Sequence, residues 1–375
     1  MANNNKHTGP NVPALRFPEF SGEWETFQLS DLAAYSKERV KMEILSSDNY
    51  VSTENMQQDF AGIKDAISLP SSGTAVEFQV GDILISNIRP YLKKTWLSDR
   101  NGGCSTDVLA LRTKNENVEA SFLYCCIAND DFISYVMSGA KGVKMPRGDK
   151  QHILSYNLGV PSVQEQRRIA ELISLLEKRI SAQSKIIEEQ ETLLRSLRHK
   201  IYSRVQAESQ CTIADVLCYE QPTKYLVTDT DYTDDDSQVP VLTANKAFIL
   251  GYTTENFGIY DKGPCIILDD FTLDCKYVDF KFKVKSSAIK ILRAKAKTNL
   301  RFIIEYFRFL ELNTTEHRRH YIAEIEPMSI LLPSNEEIYR IARLFTALDE
   351  RLEAAQKELK ILESQKMYML QKMFI

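Results

Sequence analysis

The sequence predicts an α/β protein of mixed α+β type, with two globular domains that each run into a long helix. Three observations carry this: an internal repeat, a heptad spacing inside each copy, and short apolar runs bounded by turn residues ahead of each copy. Pro-Ser-x-x-Glu-x-x-Arg-Ile-Ala-x-Leu stands at Pro161 to Leu172 and returns at Pro333 to Leu344, an offset of 172, and 13 of 41 positions from 161 onward are identical. At the front of each half, Phe27-Gln-Leu-Ser-Asp31-Leu resembles Cys211-Thr-Ile-Ala-Asp215-Val at an offset of 184, which makes the second variable region 12 residues shorter.

Residues 1–20 form a polar extension; Met1 to Pro13 lacks the apolar core of a secretory signal, so a cytoplasmic protein is expected. The first globular domain spans 21–160, with Gly81 to Asn87 and Asp107 to Arg112 as strands and a helix near Ala120 to Ala128. Residues 161–206 make the first long helix, where Ile173, Ile180, Ile187, Leu194 and Ile201 recur every seventh position. Leu176 and Leu197 accompany them three residues on, with Gln183 and Gln190 interrupting the stripe. The second domain, 207–332, repeats the order with strands Gly263 to Leu268 and Val278 to Val284 and a helix from Leu300 to Leu310. Residues 333–375 make the second long helix, with Phe345, Leu352 and Leu359 in the seam beside Leu348, Ala355 and Leu362, and Lys366 interrupting it.

Such helices want helical partners. At 1.5 Å per residue, a helix of some 40 residues is about 60 Å long, the length of a spacer. Homodimerisation would satisfy the seams. Two related helices in one chain can also satisfy one another, and an intramolecular pairing loses less entropy than association of separate chains.

Composition limits the function. The chain has 375 residues, 43% hydrophobic and 26% charged, which excludes disorder as its main state. No apolar run approaches the roughly 18 residues that span a bilayer. Seven cysteines without CxxC spacing give neither a disulfide framework nor a zinc site. The net charge is -4, yet Lys281 to His320 carries eleven cations against three glutamates, while Asp229 to Asp236 reads as an acidic, solvated loop. No Walker loop, GxGxxG, GxSxG, HExxH or Asn/Asp-Pro-Pro-aromatic motif occurs. Asp269 or Asp270 with Asp279 and Lys281 has the outline of a magnesium nuclease, but the first domain has no counterpart.

Basic loops precede the last strand of each domain: Lys141-Gly-Val-Lys144-Met-Pro-Arg147, and Glu316-His-Arg-Arg-His320, with Arg147 falling on Arg319 at the 172 offset. Two equivalent basic loops suit an elongated ligand with a negatively charged backbone.

Four stretches, Gly81-Asp-Ile-Leu-Ile-Ser-Asn-Ile-Arg-Pro90, Cys104-Ser-Thr-Asp107, Val160-Pro-Ser-x-Gln-Glu-Gln-Arg-Arg-Ile-Ala170 and Lys276-Tyr-Val-Asp-Phe280, make the chain resemble the specificity subunit of a type I restriction-modification system over nearly its whole length. The second copy departs from the family's Glu-Gln pattern, having Glu336-Glu-Ile338 where the first has Gln164-Glu-Gln166. The resemblance implies a non-catalytic subunit with two target recognition domains, each reading half of a split, asymmetric DNA site. It implies that the two helices form an antiparallel coiled coil that sets the gap between half-sites and docks two methyltransferase subunits, with restriction subunits further out. S-adenosylmethionine, ATP and magnesium would then belong to those partners. The residues expected at DNA are Asn87, Arg89, Lys141, Lys144 and Arg147 in the first domain, and Lys246, His317, Arg318, Arg319 and His320 in the second. Gly139 and Gly142 would let the first loop's backbone approach a phosphate. Lys281, Lys283 and Lys285 alternate with Phe282 and Val284 as one strand face, solvated or turned to DNA. An interaction scaffold, with the helices serving to oligomerise, is the competing class.

Overall fold

The computed structural model describes residues 11–114, 116–243, 248–295, 298–312 and 318–375. The chain divides into two compact units, Met1–Ala182 with Leu359–Ile375, and Gln183–Glu358. Each unit therefore owns a stretch of both long helices, Val163–Tyr202 and Asn335–Lys372, where the sequence suggested a globular domain followed by a separate helix.

The front motif of each half turns out to be a cap. The Gln28 amide donates to Asp31 Oδ2 at 3.0 Å and the Thr212 amide to Asp215 Oδ2 at 2.8 Å, closing the short helices Leu29–Leu32 and Ile213–Val216. In each unit the strand before that cap pairs antiparallel with the strand that leads into a long helix: Glu25–Gln28 with Asn157–Val160, and Ser209–Thr212 with Ser329–Leu332. The two repeated sequence motifs thus bracket each variable region and are hydrogen-bonded to one another.

Between the brackets lies an antiparallel four-stranded sheet. In the first unit its order is Ala33–Tyr35, Val108–Thr113, Ile83–Ser86, Thr95–Leu97; in the second, Leu217–Glu220, Ile289–Ala294, Cys265–Asp269, Cys275–Val278. Ile83–Ser86 and Cys265–Asp269 are buried at every position, which is why they read as continuous apolar runs rather than alternating ones. A smaller sheet adjoins each: Arg39–Lys41, Thr74–Phe78, Gly102–Cys104, Tyr50–Val51 in the first unit, and Ile249–Thr253, Val239–Leu242, Lys283–Val284 in the second. Helices Ala120–Ile127 and Leu300–Leu310 lie where the sequence placed them. Helix Asp130–Ser138 is additional to these; Asn129 Oδ1 caps it by accepting the Phe132 amide at 2.9 Å.

The expected strand from Val278 to Val284 is broken. Cys275–Val278 and Lys283–Val284 belong to different sheets, and residues 279–282 connect them. Lys283 is consequently not on a solvated face with Lys281 and Lys285. It is fully buried, donates to the Phe257 carbonyl at 2.8 Å and pairs with Glu255, which compensates the charge.

Both heptad seams face inward. Ile173, Leu176, Leu194, Phe345 and Leu362 are buried, and Ile180, Ile187, Leu197, Leu348, Leu352 and Leu359 are half-buried. In the second unit Tyr202 stacks on Phe345 while the earlier Gln183 reaches the later Ala355, so the two helical stretches run in opposite directions. The polar interruptions have partners on the other helix. Gln183 Nε2 donates to the Ala355 carbonyl at 2.9 Å, and in the first unit Lys366 pairs with Glu177 at 2.7 Å.

The repeated Pro-Ser-x-x-Glu begins each helix, with Ser162 Oγ accepting from Glu165 N at 3.4 Å and Ser334 Oγ from Glu337 N at 3.2 Å. The departure at Gln166 and Ile338 now has a physical reason. Gln166 is fully buried; Nε2 donates to the Asn117 and Pro161 carbonyls, both at 2.9 Å, and Oε1 accepts the Glu119 amide at 2.8 Å. Ile338 instead joins the apolar core of the second unit. Gln166→Ala is expected to destabilise the first unit by about 1–3 kcal/mol, since three backbone groups, the Pro161 carbonyl among them in a buried bond, lose their partner; urea unfolding measures it, and an unchanged midpoint would remove the clamp from the account.

Candidate nucleic-acid interface

In the first unit, candidate residues some sixty positions apart are brought together by backbone bonds. Lys141 and Arg147 exchange both amide-to-carbonyl bonds at 2.9 Å, which closes the basic loop into a narrow hairpin. Its base is fastened to the segment that follows strand Ile83–Ser86. The Arg89 amide donates to the Pro146 carbonyl at 2.8 Å, and the Gly148 amide to the Asn87 carbonyl at 3.2 Å. Asn87, Arg89, Lys141, Lys144 and Arg147 therefore form one basic cluster, with Arg89, Lys141, Lys144 and Arg147 exposed and Asn87 half-buried.

Arg89 has φ 50° ahead of Pro90, a conformation in which both its own β-carbon and the following proline ring crowd the backbone. The Pro146 bond holds it there. Gly142, with φ +95°, makes the hairpin's turn as expected of a residue freed from a side chain. Gly139 serves packing instead: a β-carbon there would lie 2.2 Å from the His152 ring. Asn87 Oδ1 is buried and, among the described residues, without a hydrogen-bond partner.

The cations already have acidic neighbours. Lys141 Nζ is 2.8 Å from Asp149 and Arg147 3.1 Å from Asp107. The hydrogen bond from Lys141, with the His152 and Gln151 amides, pulls the Asp149 carboxyl down to about 2. Lys141 is 81% and Arg147 57% exposed, and exposed pairs are worth roughly 0–1 kcal/mol, so a polyanion can displace either carboxylate.

The second unit is bonded in the same way. By sheet register Ser86 corresponds to Asp269, because Ser86 pairs with Val108 and Asp269 with Ile289, the first residues of equivalent strands. The next residue along then does the same work in both units. The Asn87 amide donates to Asp107 O and the Asp270 amide to Ala288 O; the Asn87 carbonyl accepts from Gly148, and the Asp270 carbonyl from His320 at 3.1 Å. Gly148 and His320 are 172 residues apart, the offset of the sequence repeat. Arg147 and Arg319 thus occupy equivalent places by main-chain geometry.

His320 itself does not face a ligand. It is 1% exposed, with Nδ1 3.0 Å from Glu324, so the expectation that it contacts DNA is corrected: it anchors the loop from inside. Arg318 and Arg319 are exposed, and Arg318 pairs with Glu324 at 2.6 Å. Lys246 and His317 lie outside the described residues.

The carboxylates of the nuclease outline have other work. Asp269 Oδ1 accepts the Phe271 and Thr272 amides at 2.7 and 3.2 Å and shapes a turn. Asp270 is buried, accepts the His320 and Tyr321 amides on Oδ1 at 3.1 and 2.8 Å, and holds Lys290 at 3.1 Å on Oδ2. Lys281 pairs with Asp261 instead. Burial pushes the Cys104, Cys125 and Cys265 thiols up to about 12, far from nucleophilic range. No helix among the described residues is long and apolar enough to cross a membrane.

Residues 21–191 match the model of the type I restriction modification DNA specificity domain. The specificity subunit of the type I restriction enzyme EcoR124I/EcoR124II from Escherichia coli is 42% identical over 158 residues, 38% of this chain and 39% of that protein. That of EcoDI, also from Escherichia coli, is 25% identical over 100 residues, 27% of this chain and 22% of the relative. The alignments therefore span well under half of either relative. Across 97% of this chain and 99% of the other, the fold matches the crystal structure of a type I restriction-modification S subunit from M. genitalium, with a TM-score of 0.69 at 15% identity. A chain from a structure of the assembly of a type I R-M system matches over 93% of this chain and 97% of its own, with a TM-score of 0.53 at 17% identity. Residues 21–191 are thus similar to the type I restriction modification DNA specificity domain, and the whole chain shares the fold of a type I S subunit.

Proposed function

We propose that this chain is the sequence-specific DNA-binding subunit of a type I restriction-modification complex, that it is non-catalytic, and that each unit reads one half of a bipartite, asymmetric site. The observation that carries the reading is the duplicated anchoring of the basic loops, Gly148 on Asn87 in one unit and His320 on Asp270 in the other. Two loops anchored alike but differing in sequence suit two unlike half-sites, since phosphate contacts position a protein while base contacts specify. The long helices, paired as a coiled coil, would fix the half-site spacing and dock methyltransferase subunits, with restriction subunits joining through them. Adenine methylation and ATP-driven cleavage, with S-adenosylmethionine, ATP and magnesium, would reside on those partners. The relatives' names, a specificity subunit and a chain of an assembled type I R-M system, support the DNA-recognition and docking roles.

The test is co-expression with type I methyltransferase subunits, followed by single-molecule mapping of methylated host DNA. A bipartite adenine-methylated motif that appears only with this chain is expected; methylation independent of the chain would overturn the reading and favour the scaffold.

Asp149→Asn offers a gain-of-binding check. Asparagine keeps an oxygen that caps helix Lys150–Leu154 but removes the negative partner of Lys141. Affinity for duplex DNA at low salt is expected to rise about two- to fivefold, one fewer charge facing phosphates. A titration showing no rise would place Lys141 away from the backbone.

A further inference from the structure

We propose that Val143 is a base-reading residue of the first unit, packing against a thymine methyl group in the major groove. The inference rests on the DNA-binding reading above and assigns a contact within it. The hairpin has cations at its base and an apolar tip. Lys141 and Arg147 are locked by their mutual main-chain bonds, and Pro146 is buried beneath Arg89. Beyond that base project Val143, 101% exposed, Lys144, and Met145, 49% exposed. A valine held wholly in water on a pinned loop has burial to gain from a partner.

The neighbouring charges say what that partner is. Lys141, Lys144 and Arg147 surround Val143 within seven residues, which suits a polyanion. Duplex DNA presents one apolar group beside its phosphates, the C5-methyl of thymine, and presents it only in the major groove. With the base of the hairpin at phosphate level, its tip is the part that enters a groove. Duplex RNA lacks that methyl and has a major groove too narrow for side chains.

The experiment uses the full chain co-purified with its methyltransferase subunits, enriching sites from a random duplex library. Wild type and Val143→Ser are compared, and each thymine of the enriched site is then exchanged for deoxyuridine, which removes only the methyl. For wild type, one exchange in one half-site is expected to weaken binding about three- to fivefold, the worth of one buried methyl. Val143→Ser should be indifferent to that exchange, bind the other half-site as before, and melt at the wild-type temperature because the residue is exposed. If Val143→Ser enriches the same site with the same methyl sensitivity, or if wild type is sensitive to no thymine methyl, the inference is overturned while the DNA-binding reading stands. A library that yields no site overturns both.

Discussion

Asp270→Ala will cost the second unit about 3–5 kcal/mol of stability, the penalty of leaving a buried charge without its partner. Lys290 is 3% exposed and would face the protein interior unpaired, 4.6 Å from the Tyr219 ring but with no carboxylate to answer it. The Tyr321 amide would lose its side-chain acceptor as well, while the His320 amide keeps the Asp270 carbonyl. Denaturant unfolding followed by tyrosine signals should show a lowered midpoint. Adding Lys290→Met to Asp270→Ala removes the stranded charge and is expected to restore much of the loss, whereas Lys290→Met alone leaves Asp270 unpaired and stays destabilised. A double variant no more stable than Asp270→Ala would mean that the lost amide bonds to the carboxylate, rather than the ion pair, carry the effect.

The second large effect is on DNA. Substituting Arg89, Lys144 and Arg147 together by alanine should flatten the dependence of log affinity on log salt by about 2–3, near 0.9 for each phosphate contact removed. In moderate salt that corresponds to roughly a hundredfold weaker binding or more. The fold should hold, because the hairpin is closed by main-chain bonds that alanine retains, with the Arg89 amide still on Pro146. Filter binding across a salt series separates the slope from the affinity, and an unchanged slope would place this cluster away from the phosphates.

The long helices were legible because burial has a period. Ile173, Ile180 and Ile187 repeat every seven residues, and residues at that spacing share a helix face whatever surrounds them. The caps at Asp31 and Asp215 were legible as a repeat but not as a function, since an aspartate three residues into a helix shows its purpose only when the amide it accepts is seen. Lys283 was misplaced because alternation in Lys281 to Lys285 assumes an unbroken strand, and the break at 279–282 leaves that lysine inside. His320 failed for a different reason: its neighbours Arg318 and Arg319 are exposed, and charge in sequence does not reveal that Asp270, fifty residues earlier, draws the chain inward at one position. The joining of Asn87 and Arg89 to the 141–147 loop depends on bonds across some sixty residues and leaves no local signal.

The first unit is made from two separated stretches of chain. The Leu15 amide donates to the Lys372 carbonyl at 2.8 Å, the Phe374 ring stacks on Phe122 at 5.7 Å, and Leu370 and Met373 complete the core around Ile169. The second unit, Gln183–Glu358, is continuous. On the ribosome, where domains fold as their residues emerge, the order of completion is thus the reverse of the order of synthesis. The later half can close while the earlier half still waits, its apolar surface uncovered, for residues 359–375. A chain cut short anywhere between 359 and 375 has every residue of the second unit but lacks part of the first, whose core around Ile169 is left uncovered.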